Sequence, residues 1–454
     1  MSEKVYIKTY GCQMNVYDSN RMTDILAPLG YSVTETPDDA DLLIFNTCHI
    51  REKATEKLYS DLGRVKHLKG EKPITIAVAG CTAQAEGGEI FKRASYVDMV
   101  FGPQSYHELP EMLARVKRQK DSQDLTGNRG VLNVEFPEDP KFDHLPAIRS
   151  QNGFSEFVAI QEGCDKFCHF CVVPYTRGAE YSRPVQQVLN DIKRLEEQGV
   201  KEVTLLGQNV NGYHGLDAHG NESTLGRLIE EIAKFDGIQT IRYMTSHPRD
   251  VDDSLIAAHR DIEKLSPFLH LPVQSGSDII LKAMNRKHTR EFYLGLIDKF
   301  RKARPDMAFS SDFIVGYPGE KDQDFQQTLD LVREVSYAQS YSFKYSPRPG
   351  TPAWALEYQV PEDVKDARLQ ELQTLILSCQ KKFNERLLNQ TMRVLFEKKG
   401  KLQGQILGKS PYMQSVHVMA PERLIGHYVD VKIMETYNNS LTGTVVTSDN
   451  GIVG

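Results

Sequence analysis

Three cysteines within eight residues constrain this chain more than any other feature. The run Cys164-Asp165-Lys166-Phe167-Cys168-His169-Phe170-Cys171 puts three thiols on one short loop, with an aromatic residue just before the last. An iron–sulfur cube has four irons and each takes a thiolate, so a three-thiol loop leaves one iron open to a non-protein ligand. Structural zinc takes four ligands, usually as two separated pairs, which the spacing of three then two intervening residues does not suit. His169, as a fourth zinc ligand, would sit directly between two others. Buried free thiols are the remaining alternative. Seven cysteines, an odd number, in a 454-residue chain that opens on a strand-like run argue against a disulfide framework and for reduced thiolates, and so for a cytoplasmic protein. No apolar stretch approaches the roughly 20 residues of a membrane helix.

The loop sits inside a repeating pattern. Candidate strands at 156–161, 202–207, 240–245, 268–273, 308–315 and 340–345 alternate with helical stretches such as 185–198, 225–235 and 290–304. Six strand-then-helix units make a parallel sheet that closes only partly, a (β/α)6 partial barrel. The three-cysteine loop follows its first strand, at the carboxyl end where barrel active sites lie. Later strand ends carry polar residues or glycine: Gly207-Gln208-Asn209, Thr245-Ser246-His247-Pro248, Pro272-Val273-Gln274-Ser275-Gly276 and Gly316-Tyr317-Pro318-Gly319-Glu320. Any one of them is explained by ordinary loop chemistry; their recurrence points to one ligand pocket.

Ahead of this barrel, continuous apolar runs at 5–7, 42–45 and 74–78 read as buried parallel strands of a doubly wound α/β sheet. One cysteine follows each: Cys12, Cys48 and Cys81, at intervals of 36 and 33 residues. Ligands collect outside the carboxyl ends of such strands, where helix N-termini favour an anion. The three thiols are therefore expected to converge on a second cluster; three unrelated core cysteines are the alternative. Residues 119–153, rich in Pro, Gly and polar side chains, read as a linker after a first domain at 1–118. The barrel domain is expected at 154–388 and ends in a helix from Pro361 to about Leu388, with Cys379 on its apolar face as a core residue. Beyond 391 the period changes to two, as in a small antiparallel β-barrel of about five strands, a shape used for oligonucleotides. Lys398, Lys399, Lys401 and Lys409 give it a basic edge, although the net charge of −6 decides nothing about nucleic acid.

The cysteine loop, its flanks Glu162-Gly163-Cys164 and Val172-Val173-Pro174-Tyr175-Thr176-Arg177-Gly178, the N-terminal trio and the C-terminal barrel together resemble the radical S-adenosylmethionine methylthiotransferases over almost the whole length. The C-terminal part is similar to a TRAM module. The stretches Thr9 to Asn15 and Asn46 to Ala54 resemble the MiaB-type branch, whose members act on isopentenyladenosine in tRNA; other branches modify threonylcarbamoyl-adenosine or a ribosomal-protein aspartate. The resemblance implies two [4Fe-4S] clusters, one on Cys164, Cys168 and Cys171 and an auxiliary one on Cys12, Cys48 and Cys81. It implies S-adenosylmethionine as radical source and methyl donor, held near Gln208, Asn209, Ser246, Gln274, Asp312 and Gly316. The tRNA anticodon stem-loop would be the substrate, gripped by the small barrel. A low-potential reductant such as flavodoxin or ferredoxin would be the partner, and the chain is expected to work as a monomer without a membrane. The C2–H bond of adenine is too strong for side-chain acid–base chemistry, so the cofactor would carry the hard step. A two-cluster electron carrier and an RNA-binding module without catalysis are the rival classes.

Overall fold

A computed structural model of the chain describes residues 3–49, 52–121, 130–146, 149 and 153–446. The stretches 122–129 and 447–454, and Ile50 and Arg51 of the resemblance motif, lie outside the described residues.

The N-terminal strands are β1 (Glu3–Thr9), β2 (Tyr31–Val33), β3 (Leu42–Thr47), β4 (Thr75–Gly80), β5 (Met99–Phe101) and β6 (Val131–Asn133). They form one parallel sheet in the order β2-β1-β3-β4-β5-β6. Alternate residues feed two cores: Leu43, Phe45, Ile76 and Val78 face one helical layer, while Leu42, Ile44, Ala77 and Ala79 face the other. Burial on both faces explains why these strands read as unbroken apolar runs. The strand order reverses between β1 and β3, the switch point at which ligands bind in open α/β sheets. Cys12 and Cys48 follow those two strands.

The central strands are β7 (Ser155–Ala159), the two-residue β8 (Gln161–Glu162) and β9 (Tyr181–Ser182), then β10 (Glu202–Leu206), β11 (Thr240–Tyr243), β12 (Phe268–His270), β13 (Ala308–Val315) and β14 (Gln339–Lys344). Parallel sheets β7·β10·β11 and β12·β13·β14 meet through a bridge between Ile241 and Leu265, giving the expected six-stranded partial barrel. Its outer face carries Val203, Leu205, Ile241, Phe313 and Val315 into the core under the helices. The other face lines the lumen, with His270, Asp312, Ile314, Tyr341 and Phe343 in register on neighbouring strands. The cysteine loop lies between β8 and β9, an antiparallel pair that pins its base.

The open side of the barrel is closed by the N-terminal domain. Met14 and Tyr17 of helix Gln13–Leu26 pack with Phe142 on Ala159 and Leu206 of β7 and β10. Here the structure departs from the linker expectation. Val131–Asn133 adds a strand to the first sheet, and Lys141 and Phe142 are buried. A three-residue strand is too short to show a period, and a lysine is buried only when carboxylates far away in sequence meet it.

Helix Glu362–Arg386, about 37 Å long at 1.5 Å per residue, leads to the C-terminal strands β15 (Thr391–Lys399), β16 (Gln405–Lys409), β17 (Ser415–Met419), β18 (Tyr428–Thr436) and β19 (Ser440–Val445). They close in the order β15-β16-β17-β19-β18, and the pair β17·β19 is parallel. The expected small five-stranded barrel is thus present, its other neighbour pairs antiparallel, since a ring with an odd number of strands needs at least one parallel neighbour pair. Cys379 is buried in the core between this helix and the barrel, as expected.

The small barrel docks on the amino ends of the central strands, opposite the cysteine loop. Lys201 Nζ donates to Gly426 O (2.7 Å), Tyr428 to Thr240 (2.6 Å), and Arg242 to Ser410 O (3.0 Å) and Pro411 O (2.9 Å). Arg242, 5% exposed, also pairs with Glu202 at 2.9 Å. Breaking a buried pair by removing one partner costs about 3–5 kcal/mol. Arg242→Ala is therefore expected to loosen this dock, read as faster amide hydrogen exchange in residues 405–419; unchanged exchange there would contradict the assignment.

Candidate active site between two cysteine trios

Both trios sit on rims built by glycine and side-chain amides. Cys12 precedes helix Gln13–Leu26, Cys48 follows β3, and Cys81 opens helix Cys81–Glu86 directly after β4. Gly11 holds φ +116°, and a Cβ there would lie 2.2 Å from Cys48 Cβ, so only glycine lets Cys12 and Cys48 come together. Asn15 Oδ1 accepts from the Cys12 thiol at 3.2 Å, and Asn15 and Asn46 bond each other (Asn15 Nδ2 to Asn46 Oδ1, 3.2 Å; Asn46 Nδ2 to Asn15 O, 2.8 Å). Thr82 Oγ1 donates to Cys48 O at 3.2 Å. A hydrogen bond with Cys48, helped by the charge of Arg177, brings the Cys12 thiol down to about 6. Burial pushes Cys81 up, while Arg177, in hydrogen-bonding reach of that thiol, opposes the rise.

The second trio is anchored from below. His169 N donates to Met284 O (3.0 Å), Asn285 Nδ2 to Phe167 O (2.9 Å) and Arg286 Nη1 to Cys168 Sγ (3.5 Å). Nδ1 of His169 bonds Ala283 O at 2.8 Å, which takes the ring away from the thiols. Gly163 N donates to Gln208 Oε1 (2.7 Å), and a Cβ on Gly163 would meet Ala179 O at 1.9 Å. Burial raises Cys164 to about 11 and Cys171 to about 12. Non-glycine residues with left-handed backbone cluster around this rim: Phe167, Thr245, Gln274, Asn285 and Lys287, the kind of strain that collects at functional sites.

The two rims adjoin. Helix Cys81–Glu86 packs on helix Val173–Arg177, which begins two residues after Cys171. Beside the loop a cavity of about 230 Å³ is lined by Asp165, Lys166, His247, Arg249, Asp250, Arg286 and Lys287.

Comparison with known proteins places this arrangement. Residues 4–102 match the family described as "Uncharacterized protein family UPF0004", residues 158–332 the radical SAM superfamily, and residues 385–446 the TRAM domain. Proteins named tRNA-2-methylthio-N(6)-dimethylallyladenosine synthase are similar end to end. The one from Maricaulis maris (strain MCS10) is 56% identical over 98% of this chain and 98% of its own length. The one from Bartonella tribocorum (strain CIP 105476 / IBS 506) is 55% identical over 97% and 96%. The chain belongs to this family. Among solved structures, the radical S-adenosylmethionine methyltransferase TsrM from Kitasatospora setae aligns with TM-score 0.58 at 13% identity, covering 78% of this chain and 77% of that one. The cobalamin-dependent S-adenosylmethionine radical enzyme OxsB aligns with TM-score 0.52 at 13% identity, covering 82% and 56%. These likenesses show the fold alone.

The donor sets fit the cofactors of a radical SAM enzyme. Each trio presents three soft thiols and no fourth, and among the described residues no three Cys, His, Asp or Glu side chains converge tightly enough for a single metal ion. Of the candidate S-adenosylmethionine contacts, Asn209 and Ser246 are buried, yet Asn209 Oδ1 and Ser246 Oγ have no hydrogen-bond partner among the described residues, as polar groups awaiting a ligand do. Gln274 and Asp312 lie with them at the rim, and Gln274 N donates to Asp312 O at 3.0 Å. Gln208 and Gly316 also brace the rim. Gln208 holds Gly163; Gly316 donates its N–H to Glu320 (3.0 Å) and packs on Lys365, where a Cβ would come within 2.3 Å. The sequence reading missed Lys141, Arg177, Arg249 and Arg286 as site residues. For Arg177 a signal existed, since it closes the loop's flanking motif opposite Glu162; Arg286 lies 118 residues from Cys168, with nothing local to mark it.

A thiol reacts as its thiolate. In metal-free protein, iodoacetamide is expected to alkylate Cys12 half-maximally near pH 6 and Cys164 only near pH 11; coincident profiles would contradict this electrostatic picture. Gly11→Ala is expected to abolish the low profile at Cys12 by displacing Cys48.

Proposed function

We propose that this chain is a tRNA methylthiotransferase that places a methylthio group on C2 of N6-isopentenyladenosine beside the anticodon. The single observation that carries the reading is the pairing of a three-thiol barrel loop with a second three-thiol rim, in a chain 56% identical to a named synthase over its full length. Cys164, Cys168 and Cys171 would hold a [4Fe-4S] cluster with one open iron, and Cys12, Cys48 and Cys81 would hold the auxiliary one. When bound, these clusters and S-adenosylmethionine supply the one-electron cleavage and sulfur chemistry that no side chain can perform.

The protein's own residues position and enclose. Asn209, Ser246, Gln274 and Asp312 offer polar atoms to the amino acid and ribose parts of S-adenosylmethionine at the carboxyl ends of the strands. Tyr341 and Phe343 on β14, 43% and 39% exposed, give the lumen an aromatic wall on which a base can stack, a contact worth about 1–3 kcal/mol. The target base must leave its neighbours to enter, which a single-stranded anticodon loop permits. Because the small barrel docks at the amino ends of the strands, its grip on the RNA falls on the stem, away from the reacting base. Electrons would come from a low-potential protein such as flavodoxin or ferredoxin. Among the described residues no helix is long and apolar enough to cross a membrane, and thiols free for iron suit a reducing compartment such as the cytoplasm.

The test is incubation of anaerobically reconstituted protein with dithionite, S-adenosylmethionine and isopentenylated tRNA, with mass analysis of the nucleosides. A methylthio product is expected from the wild type and none from Cys168→Ala or Cys12→Ala. Only Cys12→Ala should still release 5′-deoxyadenosine. Full activity in Cys12→Ala would exclude the auxiliary role.

A further inference from the structure

We infer that Arg177 is the positioning residue that couples the two trios, the buried counter-cation of the auxiliary thiolates that sets the reduction potential of the group they hold. The inference rests on the two-cluster reading above and adds a residue to it. Arg177 is the last residue of the helix behind the Cys164 loop, yet its guanidinium crosses into the N-terminal domain. Nη2 donates to Asp18 Oδ2 at 2.6 Å and Nη1 to Glu162 Oε1 at 3.0 Å, with both ends of each pair 2–3% exposed. The helix it ends packs on the helix that Cys81 opens, and its partner Asp18 lies on the helix that Cys12 precedes, so the guanidinium sits beside the auxiliary rim, where its charge favours the thiolates of Cys81 and Cys12. Its backbone carbonyl accepts from Gln104 Nε2 at 2.8 Å, so main chain and side chain are both tied to the first domain.

Charge counting shows why one cation there matters. Asp18 and Glu162 are balanced by Arg177 and Lys141, whose Nζ lies 2.6 Å from Glu162 and 3.6 Å from Asp18. This quartet is neutral before any thiolate is counted. Thiolates bound to iron bring negative charge into a buried place, and Arg177 is the cation of the quartet whose own helix packs on the one that Cys81 opens. Cluster potentials respond to net charge and to hydrogen bonds on sulfur, so a cation at this point makes reduction easier. A guanidinium has five donors in a rigid fork and can meet Asp18, Glu162 and Cys81 together; an ammonium keeps the charge without that geometry.

The test is an EPR-monitored redox titration of the full chain carrying Cys164→Ala, Cys168→Ala and Cys171→Ala, so that the auxiliary group alone is seen. Arg177→Gln is expected to lower its midpoint, weakening reduction at least tenfold, about 59 mV for one electron. Arg177→Lys should recover most of the shift, and Lys141→Met, which removes the quartet's other cation, held by Pro103 O and the two carboxylates, should shift it less. An unmoved midpoint in Arg177→Gln, or an equal shift in Lys141→Met, overturns the inference. Should Arg177→Gln fail to retain iron, retention by Arg177→Lys and Lys141→Met supports it, and loss from Lys141→Met as well overturns it. Iron analysis of the unmodified chain separates this from the functional reading. One cube's worth of iron ends both, whereas two cubes with an unmoved midpoint end only the role of Arg177.

Discussion

The structure hangs on a buried quartet of charges, Asp18, Lys141, Glu162 and Arg177, drawn from three separate stretches of chain. Taking four charges out of water is expensive, and apolar packing could hold two domains together at least as well. What the quartet adds is register. Each carboxylate meets both cations in the arrangement seen here, which favours this seating of the N-terminal sheet on the barrel over others. That arrangement slots Met14 and Tyr17 against the open side of the barrel and brings the helix headed by Cys81 onto the helix behind Cys171. Two rims that would otherwise be strand ends of independent domains become one site.

The partial barrel then divides its labour by direction. All its strands run the same way, so every carboxyl end, with its strained loops and polar side chains, gathers at one rim beside the thiols. The amino ends gather at the other, where Arg242, held by Glu202, donates to carbonyls of the small C-terminal barrel. The 25-residue helix Glu362–Arg386 spans the distance between the ends and keeps the small C-terminal barrel away from the rim that carries the cysteine loop. An incomplete barrel suits this division, because a closed one would leave no opening for a nucleotide and no side for the N-terminal domain to cover.

Much of this was legible in the sequence because the signals are local. Buried parallel strands are continuous apolar runs, so β3, β4 and β13 stood out, and a cysteine placed just after a strand has only one rim to occupy. The three-thiol loop carried its chemistry in its spacing. What could not be read are relations between distant stretches. Lys141 lies in a Pro-rich, polar segment that looks like a linker, and it is buried only because Asp18 and Glu162 come to meet it. β6 has three residues and no period. Gln208 and Gly316 occupy strand ends like the other polar rim residues, and only the folded chain shows Gln208 bracing Gly163 and the space beside Gly316 filled by Lys365. The parallel pair in the small barrel follows from closing an odd ring, a property of the whole that no single strand displays.

Iron anomalous scattering from crystals of the anaerobically reconstituted protein tests the account most directly. Two separate iron peaks are expected, one against Cys12, Cys48 and Cys81 and one against Cys164, Cys168 and Cys171, both opening onto the same cavity. A single peak at the barrel loop, with the N-terminal thiols free of iron, would contradict it.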